Sequence, residues 1–353
     1  MVRPGAAIAL VFSIGCLVDA GRGLAWERGR ARTLAALPEG AAGPEGLEVD
    51  AAGNLYVGSF GFTAAGEAAG EGQVYVFDAR GRLLRRLSVA GSSPHLLGLR
   101  FHPQTGKLLV ADFGAGQVLA VDPQTGASTV FITLPALPHP GGSGLNDITF
   151  DRAGNIYVSD SFQGIVWKTT GAGGLATAWV DSDLLRTTGV PPFGANGLRF
   201  NGDESALFVA NTGEDTVVKI AVQGGAAGAP AIFVNGINGA DGLLIDEHDN
   251  VWVAANQADE IVVVDPTGRA IAKLGDFGGV TRRGEPRGML FPASIRFSGR
   301  HLVVTNLALD LRLFSPDFVT VDSAFAAQVS RYTVVEIAAH IPSVPDDDDH
   351  DDR

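Results

Sequence analysis

Thiols are nearly absent: Cys16 is the single cysteine in 353 residues, so neither a disulfide framework nor a cysteine-ligated zinc site can organise this chain. Lysine and arginine are scarce as well, 26 against 39 aspartates and glutamates, for a net charge of −13. They are spread thinly, without the positive stripe that a phosphate backbone demands, so no nucleic-acid partner is expected. No apolar run reaches the roughly 18–20 residues of a membrane-spanning helix, and no long helical pattern competes with the short apolar runs. A GxSxG nucleophile elbow is missing and no Ser-His-Asp arrangement is legible, which argues against serine-hydrolase chemistry.

Glycine and proline, by contrast, are plentiful at 47 and 18. Aromatic and β-branched residues cluster in short runs between them, the composition of an all-β protein with many tight turns. The N-terminus carries Arg3, an apolar run over residues 6–18 and small residues at Ala20 and Ala25. This reads as a signal peptide over residues 1–25 and predicts a secreted or periplasmic protein without an integral span. "SIGC" at 13–16 also loosely resembles a lipoprotein attachment site, with Ser13 where leucine is usual, so a lipid anchor through Cys16 is the alternative. At the other end Asp346, Asp347, Asp348, Asp349, Asp351 and Asp352 crowd the last eight positions. Such a block of like charge cannot pack, and residues 342–353 are expected to be a disordered acidic tail.

Between these ends one pattern of strand, turn and strand recurs six times: "GLEVDAAGNLYVGS", "GLRFHPQTGKLLVAD", "DITFDRAGNIYVSD", "GLRFNGDESALFVAN", "GLLIDEHDNVWVAA" and "SIRFSGRHLVVTN". The copies begin at Gly46, Gly98, Asp147, Gly197, Gly242 and Ser294, a period near 50 residues. That period suits a four-stranded blade, and six copies predict a six-bladed β-propeller around a central channel over residues 26–341. A pair of β-sandwiches would also show short strands, yet it needs no six equal repeats. Third strands follow as "GQVYVFD", "GQVLAVD", "GIVWK", "DTVVKI", "DEIVVVD" and "VSRYTVVE". A ring must close, and an extended piece over residues 31–37 is expected to supply the outer strand of the last blade, removing two exposed edges.

The first strand of each blade lines the channel, so the residue preceding each repeat start faces the axis. Read in order, that position holds Glu45, Leu97, Asn146, Asn196, Asp241 and Ala293. Taken singly, Asn and Asp are common at strand starts. Together, two carboxylates and two carboxamides converging on one axis would repel or stay unpaired unless a cation joined them. Hard oxygen donors with charge −2 suit Ca²⁺, with waters completing about 6–8 ligands. Mg²⁺, Mn²⁺ and Zn²⁺ are the alternatives; Mg²⁺ wants a tighter octahedron and Zn²⁺ prefers His or Cys.

"PEGLEVD", "LNDITFDRAGNIYVSDS", "ANGLRFNGDESALFVANT" and "ADGLLIDEHDNVWVAA" resemble the metal-binding strand starts of the regucalcin, gluconolactonase and luciferin-regenerating enzyme family, with its relatives the drug-responsive lactonases and diisopropylfluorophosphatase. The resemblance runs over about residues 44–306. It implies that Glu45, Asn146, Asn196 and Asp241 bind a catalytic Ca²⁺ or similar divalent ion, and that the protein hydrolyses a small-molecule lactone or related ester. Asp241 would then serve as base or attacking carboxylate. Asp147, beside Asn146, is a candidate to tune the site. The rest of the pocket departs from the family: Leu97 and Ala293 are apolar where a sugar lactone would want polar partners. His95 lies near the mouth, but its spacing from the Gly-Leu pair is off, so it reads as a loop histidine rather than a base.

Ser59, Asp112, Asp160, Asn211 and Asn306 recur at the ends of second strands, on the metal side, where loop caps are the simpler reading. Two segments there are long, residues 60–72 and 307–328, and extra length at the mouth of a site makes a wall or lid. Phe60, Phe62, Phe113, Phe162 and Phe193 are candidates to line it. A non-catalytic secreted propeller that binds a ligand or partner protein, with an axial metal that only ties blades together, is the rival function.

Overall fold

The computed structural model describes residues 28–341. The expected leader over residues 1–25, with Cys16, and the acidic tail at 342–353 lie outside the described residues. Six antiparallel sheets of four principal strands form the body, each running in meander order from the axis outward. Blade one comprises Pro44–Val49, Leu55–Ser59, Gln73–Phe77 and Leu83–Ser88. Blade two comprises Leu96–Phe101, Leu108–Asp112, Gln117–Val121 and Ser128–Thr133, and blade three Leu145–Phe150, Ile156–Asp160, Ile165–Thr169 and Thr177–Asp181. Blade four comprises Ala195–Phe200, Ala206–Asn211, Thr216–Gln223 and Ala226–Asn235, and blade five Ala240–Ile245, Val251–Ala255, Glu260–Val264 and Ala270–Leu274. Blade six is composite: Pro292–Ser298, His301–Asn306 and Thr333–Ala338 are completed by Arg32–Ala36.

Each inner strand packs against the next, and the inner strand of blade six packs against that of blade one, so the ring is closed. This is a six-bladed β-propeller; the sandwich alternative falls because six sheets, not two facing pairs, carry the strands. Closure is achieved as the sequence predicts. Arg32–Ala36 pairs antiparallel with Thr333–Ala338, and Ala35 and Leu37 beside it are fully buried. The apolar core lies between sheets: Tyr56, Val74, Val76 and Leu87 of blade one interlock with Leu96, Leu99, Leu108 and Val110 of blade two.

Local chemistry explains the first hairpin of the blades. Asp50 accepts from the backbone N–H of Ala52 and Asn54 and from Asn54 Nδ2 at 2.8–2.9 Å. Asp246 holds the same turn in blade five through His248, Asn250 and Asn250 Nδ2. Gly53 adopts φ 80° in that turn, and Asp249 takes the equivalent left-handed place at φ 61°, a conformation that Asp tolerates better than most residues.

One irregularity repeats in all six inner strands. Register shifts between Pro44 and Leu47, Leu96 and Leu99, Leu145 and Ile148, Ala195 and Leu198, Ala240 and Leu243, and Pro292 and Ile295. The residues inside the shift are the axial residue and its follower, so a bulge re-aims the side chain at the channel. It also brings neighbouring backbones close. A Cβ on Gly46 would lie 2.1 Å from the Leu97 carbonyl oxygen, and one on Gly242 2.4 Å from that of Ala293. The Gly of the repeated Gly-Leu pair is therefore a demand of blade-to-blade contact.

Candidate metal centre

Glu45, Asn146, Asn196 and Asp241 are all buried and line one small cavity on the channel axis together with Leu97, Phe60, Phe193, Asn256, Phe291, Leu307 and Leu309. The bulges thus gather the four oxygen donors that the sequence singles out. A second ring of side chains, one residue beyond the end of each second strand, supports them. Asn146 Nδ2 donates to Ser161 Oγ at 3.2 Å and Asn196 Nδ2 to Thr212 Oγ1 at 2.9 Å. Asn256 Nδ2 donates to Asp241 Oδ2 at 3.0 Å. With their N–H groups so engaged, the amides keep their oxygens as acceptors.

Asn256 is the member of the site that sequence reasoning missed. Its column reads Phe60, Phe113, Ser161, Thr212, Asn256 and Leu307, polar beside Asn146, Asn196 and Asp241 and apolar elsewhere. Alignment of the residue after each second strand was the available signal. The two columns make the cavity two-sided: polar on blades three to five, apolar on blades six, one and two, with Glu45 the one polar group of the apolar half.

Three buried oxygens on side chains that line this cavity have no hydrogen-bond partner: Glu45 Oε2, Asp241 Oδ1 and Asn256 Oδ1, the last packed against Gly239. An unpaired buried acceptor costs on the order of 1–3 kcal/mol, more when charged. Electrostatics agrees. Burial, then the neighbouring Asp241 and Asp147 charges, hold the Glu45 carboxyl well above the usual carboxylate range. Burial likewise pushes Asp241 up to about 7, against the hydrogen bond from Asn256 that favours its anion. Two carboxylates forced together out of water, with spare oxygens, have the chemistry of a donor set that suits a divalent cation. Among the described residues no three His, Cys, Asp or Glu side chains gather at one point, so any ion here rests on two carboxylates plus amides.

Asp147 faces the other way along the axis. Its Oδ2 accepts from Arg199 Nη1 at 2.7 Å and its Oδ1 from the Ile148 N–H at 2.8 Å, so it reaches the site through its field alone. His95 is a loop histidine, as its spacing implies. Its Nδ1 lies 2.5 Å from the Phe60 carbonyl oxygen, its Nε2 lies 2.8 Å from Glu67 Oε1, and its ring stacks on Phe62. Asp112 is a loop latch: it accepts from Ser93 N–H and Oγ, Ala115 N–H and Gln117 Nε2. Asp160 accepts from Gly144 N–H and Trp167 Nε1, Asn211 Nδ2 donates to the Leu184 and Arg186 carbonyls, and Asn306 Nδ2 donates to the Gly288 carbonyl and to Thr333 Oγ1. These caps fix the incoming loops and do not line the cavity.

Of the five candidate phenylalanines, Phe60 and Phe193 line the cavity, and all five pack into one aromatic cluster with Phe314 of the long blade-six segment. Phe60 lies 5.0 Å from Phe62, 5.6 Å from Phe113 and 6.1 Å from Phe193 between ring centroids. Phe314 closes the set at 4.9 Å from Phe62 and 5.6 Å from Phe193, and Phe162 packs on Phe113 at 5.1 Å. These rings form a plug, continuous with the buried apolar cluster of Leu97, Leu307 and Leu309. The cavity beneath it measures about 20 Å³, space for an ion or a water but not a substrate.

The family model described as SMP-30/Gluconolactonase/LRE-like region matches residues 92–275, and one described as Strictosidine synthase-like, N-terminal, matches residues 30–60. A strictosidine synthase-like protein of Arabidopsis thaliana is 28% identical over 193 residues, 50% of this chain and 46% of that protein. Lactonase drp35 of Staphylococcus epidermidis is 29% identical over 138 residues, 37% of this chain and 41% of that protein. The matched stretches thus span less than half the length of these curated relatives. Among solved structures, a luciferin-regenerating enzyme superposes with TM-score 0.61 at 16% identity, over 90% of this chain and 97% of that one, a likeness of fold. With more than half of its residues matched by the first family model, and with the propeller and axial donor set in place, the chain belongs to the SMP-30/Gluconolactonase/LRE-like family.

Proposed function

We propose that this protein is a divalent-metal-dependent hydrolase of a lactone or related ester, with Glu45, Asn146, Asn196 and Asp241 as metal ligands and Ca²⁺ as the resident ion. The observation that carries the reading is the set of partnerless buried oxygens on Glu45, Asp241 and Asn256 around one axial cavity. When bound, a hard divalent cation would supply Lewis-acid polarisation of an ester carbonyl oxygen. The protein's own share is positioning and proton handling. Asp241, held by Asn256, is the one carboxylate here with an anchored oxygen and a free one, which suits it to take a proton from attacking water or to attack directly. Leu97, Phe60, Phe193 and Leu307 line a cavity too small for a substrate while the aromatic rings stay closed over it, so an ester reaches the site only when those rings part, and it then meets a dry wall that suits an apolar acyl or ring portion better than a polyhydroxylated sugar. The name of lactonase drp35 supports the reaction class. Residues 1–25 support export, to compartments where even a site of 10⁻⁴–10⁻³ M affinity fills with calcium.

The aromatic plug favours one second reading, a binding propeller whose axial ion only ties the blades. Purified protein assayed on aliphatic γ- and δ-lactones, gluconolactone and aryl esters, with and without EDTA, separates the two. Turnover that EDTA abolishes and calcium restores is expected. A folded, calcium-loaded protein inert on the whole panel overturns the hydrolase reading.

A further inference from the structure

Directly along the channel from the donor set lies a second buried cluster that the proposed reaction does not use. Three residues past the axial position, the inner strands carry Glu48, Arg100, Thr149, Arg199, Leu244 and Arg296. Arg199 and Arg296 are about 95% buried, at 6% and 5% exposure, an extreme for arginine. Shared acceptors knit the three guanidinium groups together. Arg100 Nε and Arg199 Nη1 both donate to the Ile148 carbonyl, at 3.1 and 3.4 Å. Arg100 Nη1 and Arg296 Nε both approach Glu48 Oε2, at 3.2 and 3.5 Å. Arg296 Nη2 reaches across to the Leu99 carbonyl at 3.3 Å, and Arg199 is paired with Asp147 at 2.7 Å.

The charges do not balance. Three guanidinium cations face two carboxylates, Glu48 and Asp147, each within ion-pair reach of at least one of them. One positive charge is left over in the interior. Donors are left over too: Arg199 Nε and Arg199 Nη2 are buried without a hydrogen-bond partner, and Arg296 Nε has only the long 3.5 Å approach to Glu48 Oε2. A buried cation is tolerated only when paired and hydrogen-bonded; Glu45 feels the Arg296 charge, but the ion pairs of the three arginines are with Glu48 and Asp147, not with Glu45 or Asp241.

We propose that Arg100, Arg199 and Arg296 form an axial binding site for one small monovalent inorganic anion, of the halide class, stacked in the channel beneath the metal centre. The anion takes the unpartnered N–H groups of Arg199 and the weakly held Nε–H of Arg296 and neutralises the surplus charge. It would fasten blades two, four and six to one point, much as the cation fastens one, three, four and five.

Bromide is the probe. Crystals of the full chain grown with millimolar sodium bromide, and measured at the bromine absorption edge, should show one anomalous peak on the axis within hydrogen-bond reach of Arg199 Nη2 and Arg296 Nε. In parallel, the melting temperature should rise saturably in sodium chloride over sodium gluconate of equal ionic strength. A rise of roughly 2–4 °C is expected at ten times the dissociation constant. Arg296→Met should abolish both signals; if that variant does not fold, the wild-type measurements still decide. Ordered water alone in the channel overturns the proposal. So does a bromide peak that needs molar salt and brings no saturable stabilisation, which marks an adventitious ion only. Because neither readout uses turnover, this site can fail while the hydrolase reading stands, and the reverse.

Discussion

Replacing Asp241 by Asn should make the metal-free protein more stable, the opposite of what a change at a buried, hydrogen-bonded position normally does. Burial raises the Asp241 carboxyl from 3.8 to about 7. An acid whose folded pKa is raised contributes stability that is full below its unfolded pKa, near 4, and lost as pH climbs through the folded value. At 1.36 kcal/mol per unit, a shift of about three units amounts to ~4 kcal/mol lost between about pH 4 and pH 7. Asn keeps the volume and can still accept from Asn256 Nδ2, so Asp241→Asn should recover on the order of 2–4 kcal/mol at pH 8 in EDTA. Urea denaturation from pH 4.5 to 8 reads the effect. The wild type in EDTA should lose stability as pH rises, calcium should flatten that slope, and the variant should have a shallower slope and no calcium response. Asp259, raised to about 8 by burial and then by Asp322, adds a slope of the same sign, but neither calcium nor the substitution touches it. Glu48 and Asp147, whose pKa values are depressed, lose their contribution only as pH falls below about 4, outside the window. Identical slopes with EDTA, with calcium and in the variant would refute the argument that Glu45 and Asp241 are strained without a cation.

Asn256→Ala should weaken calcium binding by roughly 10–100-fold, the usual cost of losing a group that orients a ligand; titration calorimetry giving wild-type affinity would remove Asn256 from the site. Gly46→Ala places a methyl 2.1 Å from the Leu97 carbonyl oxygen and should cost about 3 kcal/mol or more in urea denaturation. A loss below about 1 kcal/mol would mean that the inner strands separate easily. Phe314→Ala, at a ring 37% exposed, should cost only about 1 kcal/mol while raising kcat/KM several-fold for a bulky lactone; an unchanged rate would show that substrate does not enter past this ring. A chain begun at Pro38 lacks the strand Arg32–Ala36 and bares the edge of Thr333–Ala338, so size-exclusion chromatography should find concentration-dependent oligomers. A monodisperse, cooperatively melting monomer would count against that edge as the liability.

The ring was legible in sequence because its hairpins are built by local chemistry. Asp50 and Asn54, or Asp246 and Asn250, form their turns within five residues, and each repeat announces itself. The candidate ligand set was legible for a related reason: the Gly after four of the six axial residues, Gly46, Gly98, Gly197 and Gly242, is imposed by the neighbouring strand and so marks the register. Asn256 escaped because nothing local distinguishes it from a loop amide; only its meeting with Asp241, fifteen positions away, gives it a role. The arginine cluster escaped because Arg100, Arg199 and Arg296 sit roughly a hundred residues apart on strands whose alternation alone does not say that a charged face is buried. Phe314 closes the mouth from a segment with no repeat partner, so its seat over Phe62 and Phe193 could come only from the fold.

The bulged inner strands act as a caliper. Gly46 and Gly98 rest on the carbonyls of Leu97 and Asn146, and Gly197 and Gly242 on those of Asp241 and Ala293, so the bore at the donor level is set by how tightly six blades can be pressed together. An ion that is too small cannot draw Glu45 toward Asp241 without dragging whole sheets, and one that is too large must spread them. For the proposed axial cation, discrimination by size would thereby fall to the circumference of the ring, and a substitution in the packing between blades far from the axis would be a way to retune it.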